Sequence, residues 1–168
     1  MDIGIGSNIY DFFLVLHILA AIIGFGAVQL NGVFASRART LPPAHALAAM
    51  ETNFWLSTKV AEWFILATAV FGFGLVGLSD KAIEMSATWV SLSIALYIVA
   101  LGASHALLRP RVKQLLALQR EIVDGPPSEG PPPQLERMKK LGHDVGAIAG
   151  GLNVALVVIV FLMVFKPA

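Results

Sequence analysis

The segment YDFFLVLHILAAIIGFGAVQLNGVFA, residues 10–35, decides the fold class because its only formally charged side chain is that of Asp11. A bilayer crossing needs about 20 mostly apolar residues in an α-helix, and this segment exceeds that length. Residues 54–78, 88–108 and 145–165 pass the same test. Helices are the required form, because lipid offers backbone groups no hydrogen-bond partner outside the segment. The sequence therefore predicts an all-α integral membrane protein, built as a four-helix bundle.

The composition of the chain agrees with a membrane protein and excludes several other classes. Of its 168 residues, 57% are apolar and 14% are charged, and the mean hydropathy is +0.75. Soluble domains are about half apolar and about a quarter charged. The sequence contains no cysteine, which excludes disulfide scaffolds and thiolate metal sites. A net charge of +1 gives no general attraction to nucleic acid, so the expected partner is the lipid bilayer.

Basic residues in the loops predict the orientation of the spans. Arg37 and Arg39 follow the first span, and the loop 109–144 holds most of the remaining lysines and arginines. The second loop contributes only Lys81, and the C-terminal tail only Lys166. Short loops rich in Lys and Arg stay in the cytoplasm, so both termini are expected outside. The expected location is the bacterial plasma membrane, as a multi-pass protein.

The chain, 1–168, is expected to form a single membrane domain with structured loops. Pro42 and Pro43 suit the first turn of a helix, so the second helix is predicted to begin in the cytoplasm, before its span. The run RVKQLLALQREIV, residues 111–123, predicts an amphipathic cytoplasmic helix, either extending the third span or lying on the membrane surface. The run DGPPSEGPPP, residues 124–133, predicts an exposed linker, after which a helix resumes into the fourth span.

Polar residues inside the spans are the candidates for function, because each is costly in lipid unless paired or hydrated. Glu62 is the central candidate, since its short side chain cannot reach the interface and needs a partner. Lys59 and His105 are its expected charge partners, although Lys59 is close enough to the surface to extend to it. Asn31 and Asn153 are expected to supply hydrogen-bonding walls, or else simple links between helices. These five residues form the predicted ligand or proton site in the inner half of the bundle.

Helical spacing predicts that this layer faces inward. His17, Gly24 and Asn31 repeat every seven residues along the first span. Small residues of the fourth span are expected to allow close approach of helices. Two further series are expected to face the same interior: Ser91, Ile98 and His105 in the third span, and Gly146, Gly150 and Asn153 in the fourth.

His17 is a separate candidate, about 10 Å below the outer surface by helical rise. An imidazole on the inner face of a four-helix membrane bundle suits an axial ligand of haem b. The alternative is a buried histidine bonded to Tyr97 or Ser93. His17 and His105 are predicted to lie roughly 15 Å apart along the membrane normal, too far to share one haem. A bis-histidine site would need His105 with His143.

The two ends of the chain carry a family resemblance. The first span contains LHILAAIIGFGA, an arginine-containing loop follows it, and the fourth span ends in VFKP. In these features the chain resembles small bacterial four-helix proteins, predicted integral membrane proteins with a domain of unknown function. More distantly it is similar to the haem-binding membrane protoporphyrinogen oxidases and the copper-resistance D membrane proteins. The oxidase resemblance implies that His17 matches a first-helix histidine. The oxidases' Trp-Leu-His cluster, Asn-Glu-Pro motif and early third-span lysine are absent.

Three hypotheses follow. The first is a multi-pass plasma-membrane protein whose polar inner-half site binds or relays a proton or a small ligand. The second is a b-type haem redox protein that uses His17. The third is a structural subunit, in a homo-oligomer or a larger membrane complex, whose basic segment from Arg109 to Lys140 docks a partner or anionic lipid.

Overall fold

The computed structural model describes residues 4–126 and 130–167, and all regular structure within those ranges is helical. Each of its long helices is apolar enough to cross a membrane, which confirms the predicted all-α architecture with four spans. The described helices are α1 (Asn8–Ala38), α2 (Pro43–Leu78), α3 (Thr88–Asp124) and α4 (Gln134–Phe165).

Local sequence explains where these helices begin and end. The Ser7 hydroxyl caps α1 by accepting a hydrogen bond from the backbone N–H of Tyr10 at 3.3 Å. Pro43 occupies the first turn of α2, where the N–H that proline lacks has no helical partner in any case. Helix α2 therefore begins before its apolar span, as predicted. Helix α4 ends at Phe165, and the capping residue Lys166 adopts a left-handed conformation with φ of 46°.

Three helices depart from regular α geometry at one point each, and none of these points was predicted. Helix α1 is divided at Leu30 into Asn8–Gln29 and Asn31–Ala38. Helices α2 and α3 each contain a π-helical turn, at Ser57–Ala61 and Ser104–Leu108. A π turn accommodates one extra residue in a helix, shifts the faces of the residues that follow, and occurs often at functional sites.

The described helices form two closely packed pairs, α1 with α2 and α3 with α4. Among the described residues, the two pairs make extensive backbone contact at one end only. There Pro43–Leu56 of α2 packs against Arg109–Asp124 of α3. We call this end, together with the first turns of α4, the basic end. Backbone contact between the pairs is sparse farther along the bundle, which leaves room for a cavity between them.

Helices α1 and α2 pack closely because glycines of each helix lie directly against the other helix. A Cβ on Gly24 would lie 2.8 Å from the backbone nitrogen of Ile65, and one on Gly74 would lie 2.6 Å from the ring of Phe13. The seven-residue series of α1 therefore faces α2. Its members contact α2 at successive levels: His17 at Thr68, Gly24 at Ile65 and Asn31 at Ser57.

The small residues predicted to bring α4 close to its neighbours do not do so. A Cβ added to Gly146 or Gly150 would meet no atom within 4 Å among the described residues. Close approach needs a facing backbone as well as a small side chain, and both glycines are exposed. The expectation for this stripe was wrong.

The predicted inward series of α3 was also wrong. Ile98 is 61% exposed, so it does not face the interior together with His105. Tyr97 faces inward instead, and its hydroxyl donates to the carbonyl of Ile65 on α2 at 3.1 Å. Tyr97 and His105, which both bond α2, are eight residues apart in the sequence. The predicted series of Ser91, Ile98 and His105 assumed a spacing of seven. The stretch from Tyr97 to Ala103 is regular α-helix, and the π turn begins at Ser104, beside His105.

The basic end joins the two helix pairs by side-chain contacts. Residues 109–124 continue the third span as one helix, which decides between the two predicted arrangements of the amphipathic segment. The buried Gln119 amide donates to the carbonyl of Pro43 at 2.9 Å. Arg120 Nε donates to Glu51 Oε1 at 3.0 Å. Part of the predicted linker, residues 127–129, lies outside the described residues.

Candidate functional site

A cavity of about 270 Å³ lies between the two helix pairs. All the described helices line it, and most of its wall is apolar. It extends along α2 from Met50 at the basic end to Ile65, about 22 Å by helical rise. Its polar lining residues are Asn31, Asn53, Ser57, Thr58, Glu62, Tyr97, Ser104, His105, Arg109 and Asn153.

Glu62 lies in the cavity wall and joins the two helix pairs. Its Oε1 lies 3.0 Å from Nε2 of His105, and its Oε2 lies 3.5 Å from Nη1 of Arg109. Glu62 belongs to α2, whereas His105 and Arg109 belong to α3. These three residues, which we call the ionic cluster, therefore bridge the pairs at the level where their backbones stand apart.

Both π turns lie at the ionic cluster. The backbone N–H of Glu62 bonds the carbonyl of Ser57, and that of Arg109 bonds the carbonyl of Ser104, each five residues back. His105 lies within the second of these turns. The turns thus set the directions in which all three charged side chains leave their helices.

His105 has an oxygen acceptor at each ring nitrogen. Its Nδ1 lies 3.0 Å from the carbonyl oxygen of Leu101, which can only accept, so Nδ1 carries a hydrogen. Its Nε2 faces the Glu62 carboxyl at 3.0 Å. That contact needs a second hydrogen, either on Nε2 or on the carboxyl group. The ring of His105 thus stands between two oxygen acceptors, an arrangement in which an imidazole can donate from both nitrogens.

Lys59 lies apart from the cluster, which corrects its expected pairing with Glu62. Lys59 is exposed on the π turn of α2, does not line the cavity and has no ion pair among the described residues. Its place is taken by Arg109, which sequence reasoning assigned to the loop. The available signal was spacing, because Arg109 lies four residues after His105 and such residues share a helix face.

Three asparagine side chains surround the cavity. Asn31 Oδ1 accepts a hydrogen bond from the Ser57 hydroxyl at 3.1 Å, which links the break in α1 to the π turn of α2. Asn153 lines the cavity from α4, and its side chain has no hydrogen bond within the described part of the chain. Asn53, which was not predicted, has a buried Oδ1 without a hydrogen-bond partner among the described residues. The structure thus brings Glu62, His105, Asn31 and Asn153 to one cavity.

The comparison with protein families agrees with this architecture. A family model described as "Predicted integral membrane protein (DUF2269)" matches residues 12–167. The chain belongs to this family. The DUF2269 match reaches from the first turns of α1 to the end of α4, so it includes every residue of the ionic cluster. No curated protein and no solved structure matches the chain.

In this DUF2269 protein, His17 lies between α1 and α2 rather than in the cavity. Its Nδ1 donates to the carbonyl of Thr68 at 2.8 Å, and a Cβ on Gly72 would lie 3.1 Å from its Cε1. The predicted partners bond elsewhere, Tyr97 to Ile65 and Ser93 to Trp89. His17 thus links two helices of the same pair.

The haem hypothesis for His17 stays a prediction, whereas the ring of His105 is engaged by oxygen atoms of the protein. Both ring nitrogens of His105 face oxygen atoms, of Leu101 and of Glu62, so neither is directed at an iron ion in this arrangement. The ring of His17 packs against Gly72 and does not line the cavity. Within residues 4–126 and 130–167, no group of three or more His, Cys, Asp or Glu side chains can hold a metal ion.

Proposed function

We propose that this integral membrane protein binds and exchanges a proton at the Glu62–His105 pair. The supporting observation is the position of the His105 ring between the Leu101 carbonyl and the Glu62 carboxyl, both oxygen acceptors. The two hydrogen bonds need an imidazolium beside a carboxylate, or a neutral imidazole beside a protonated carboxyl. The exchanging proton therefore belongs to the pair rather than to either residue.

Proton exchange at this pair is coupled to the contact between the two helix pairs. When the proton leaves, the Nε2 lone pair faces a carboxylate oxygen at 3.0 Å, and the contact becomes repulsive. Arg109 on α3 is the other charged group that faces Glu62. Helices α1 and α4 contribute no ionisable side chain to the described cavity wall. Release of the proton thus removes the hydrogen bond between Glu62 and His105, while the contact of Glu62 with Arg109 and the contacts at the basic end persist.

The cavity provides the path by which the proton is exchanged. It continues from the ionic cluster to the level of Met50 and Val145 at the basic end, and Ser57 and Thr58 contribute hydroxyl groups along it. As part of the proposal, the basic end faces the cytoplasm of a bacterial plasma membrane. The concentration of Lys and Arg in the first and third loops supports this orientation.

Nitrogen NMR of the His105 ring, combined with infrared spectroscopy of carboxyl groups, tests the proposal on protein in lipid. Near neutral pH we expect two protonated ring nitrogens, or one together with a carboxyl C=O band that Glu62→Gln removes. In Glu62→Gln the amide donates to Nε2, so His105 becomes neutral with its hydrogen on Nδ1.

Glu51→Gln is the matched control, because it also removes a glutamate of α2 from an ion pair but lies outside the cavity. We expect it to leave the His105 signals unchanged. A neutral His105 beside an ionised Glu62 in the unsubstituted protein would overturn the proposal.

A further inference from the structure

The cavity wall carries one unbalanced positive charge when the Glu62–His105 pair holds its proton. Glu62 and His105 then sum to zero in either hydrogen arrangement, and the guanidinium of Arg109 is always protonated. The remaining ionisable lining group is Tyr97, whose neutral hydroxyl donates to a carbonyl. The described part of the cavity wall offers no further charge to balance Arg109. An uncompensated charge in apolar surroundings is costly, which favours a counter-ion from outside the chain.

Arg109 has spare hydrogen-bonding capacity toward such a counter-ion. A guanidinium has N–H donors arranged to bind a carboxylate through two parallel hydrogen bonds. Among the described residues, the single polar contact of Arg109 is the one to Glu62 at 3.5 Å, which is longer than a strong ionic hydrogen bond. Arg111, by contrast, donates to the carbonyl of Leu107 at 2.8 Å and does not line the cavity.

The rest of the cavity suits a compact apolar body. Its volume of about 270 Å³ exceeds the roughly 150 Å³ of an apolar protein cavity that binds benzene, so it has room for a bicyclic ring or a short branched chain. Aromatic and aliphatic side chains form the wall beyond the ionic cluster: Phe25, Phe34, Phe54, Leu152, Leu156 and Ile159.

We infer that this cavity binds an amphipathic monoanion, a carboxylate on a compact apolar body, together with the proton of the Glu62–His105 pair. The inference rests on the proposed function, because the proton is what leaves the charge of Arg109 unbalanced. The carboxylate binds Arg109 and the apolar body fills the cavity between the helix pairs. When the pair has lost its proton, Glu62 neutralises Arg109, so anion binding requires proton uptake.

Binding of three probes that share one ring system tests the inference on the full chain in phosphatidylcholine nanodiscs. The probes are 1-naphthoate, naphthalene and 1-naphthylmethylammonium, and protein-free nanodiscs correct for partition into lipid. We expect naphthoate to bind about ten-fold more tightly than naphthalene, because charge-assisted hydrogen bonds are the strong ones. Arg109→Gln should remove this preference, and the matched variant Arg111→Gln should keep it. Equal binding of naphthoate and the ammonium probe would overturn the inference.

A second arm distinguishes a free carboxylate from an anionic lipid headgroup as the natural ligand. Phosphatidylglycerol is added to the nanodiscs, and naphthoate binding is measured again. A loss of affinity that Arg109→Gln abolishes identifies the lipid headgroup as the occupant of the site. Unchanged affinity identifies the free carboxylate. The first result overturns the compact carboxylate as the natural ligand, and the second supports it.

Calorimetry separates failure of this inference from failure of the proposed function. At alkaline pH, naphthoate binding should take up a proton, seen as a heat that varies with the ionisation enthalpy of the buffer. Naphthoate binding without proton uptake would overturn the coupling and count against the proposed function. A shared proton at His105 without preferential naphthoate binding would overturn this inference alone.

Discussion

The carboxylate of Glu62 makes an ionic contact between the two helix pairs. Its two oxygens face His105 and Arg109 on another helix, where the backbones of the two pairs make little contact. Lipid cannot solvate a lone carboxylate, so the side chain must find hydrogen-bond donors among the neighbouring helices. All three side chains remain partly exposed, at 26%, 42% and 34%, which weakens the ion pairs relative to fully buried ones.

Replacement of Glu62 by alanine should destabilise the protein more than replacement by glutamine. We expect Glu62→Ala to lower the free energy of unfolding by about 1–2 kcal/mol, because it leaves Arg109 facing an apolar cavity. Glu62→Gln keeps an acceptor for Arg109 and should cost less. Reversible unfolding in mixed micelles measures both. The exposed pair of Glu51 provides the comparison, since Glu51→Ala should cost only about 0–1 kcal/mol, and equal costs at the two sites would contradict this account.

At the scale of single elements, the π turns and the glycines of the α1–α2 pair shape the bundle. The π turn Ser104–Leu108 changes the face on which His105 leaves α3, and the turn Ser57–Ala61 does the same before Glu62. Gly24 permits α1 to contact the backbone of α2. The π turns and the glycine contacts both affect helix geometry, and neither changes the hydrophobicity of a span.

Deletion of Ala106 should convert the π turn of α3 into a regular α turn. Because a π turn contains one inserted residue, the flanking faces of α3 should keep their register while His105 leaves its position beside Glu62. We expect helix content by circular dichroism to be retained and the second proton at His105, measured by nitrogen NMR, to disappear. Persistence of that proton in the deleted chain would show that the turn does not position the cluster.

Gly24→Ala should destabilise the α1–α2 pair, because its Cβ would lie 2.8 Å from the backbone nitrogen of Ile65. Backbone cannot move aside as a side chain does, and overpacking of this kind costs about 1–3 kcal/mol. Gly26→Ala is the control, since a Cβ there meets no described atom within 4 Å. Alanine is the better helix former, so Gly26→Ala should be neutral or stabilising. Unfolding measurements that find both variants equally stable would refute the close contact.

At the scale of the whole molecule, the two helix pairs are joined at the basic end, by the ionic cluster and by the hydrogen bond of Tyr97 to Ile65. The contacts of Gln119 and Arg120 with α2 hold the pairs at the basic end whatever the state of the cavity. The contact of Glu62 with His105 depends on a proton, so it is the contact between the pairs that proton release would weaken. The cavity between the pairs is therefore expected to widen at its ionic cluster rather than at its basic end.

Raising the pH should increase the distance between the two helix pairs. Because the chain has no native cysteine, spin labels at Trp63→Cys on α2 and Ile98→Cys on α3 report this spacing without background labelling. Proton loss at high pH should lengthen it by about 1–2 Å, the scale of helix shifts in switching proteins, and Glu62→Gln should remove the pH dependence. Labels at Val15→Cys and Val70→Cys, both within the α1–α2 pair, should not move. Equal shifts at both label pairs would contradict the two-pair architecture.

Local properties of the sequence determined the spans and the early start of α2 at Pro43. Apolar length and proline position act on the chain wherever it folds, so one sequence was sufficient to predict them. The need of Glu62 for a partner followed from its charge and depth alone.

Only the tertiary structure decided that the partner beside the predicted His105 is Arg109 rather than Lys59. That choice depends on which faces of α2 and α3 meet, and each face is set by a π turn that leaves no trace in the hydrophobic pattern. The cavity also depends on the tertiary structure, because it lies where the two helix pairs do not pack against each other. No single segment of the sequence determines the spacing between the pairs.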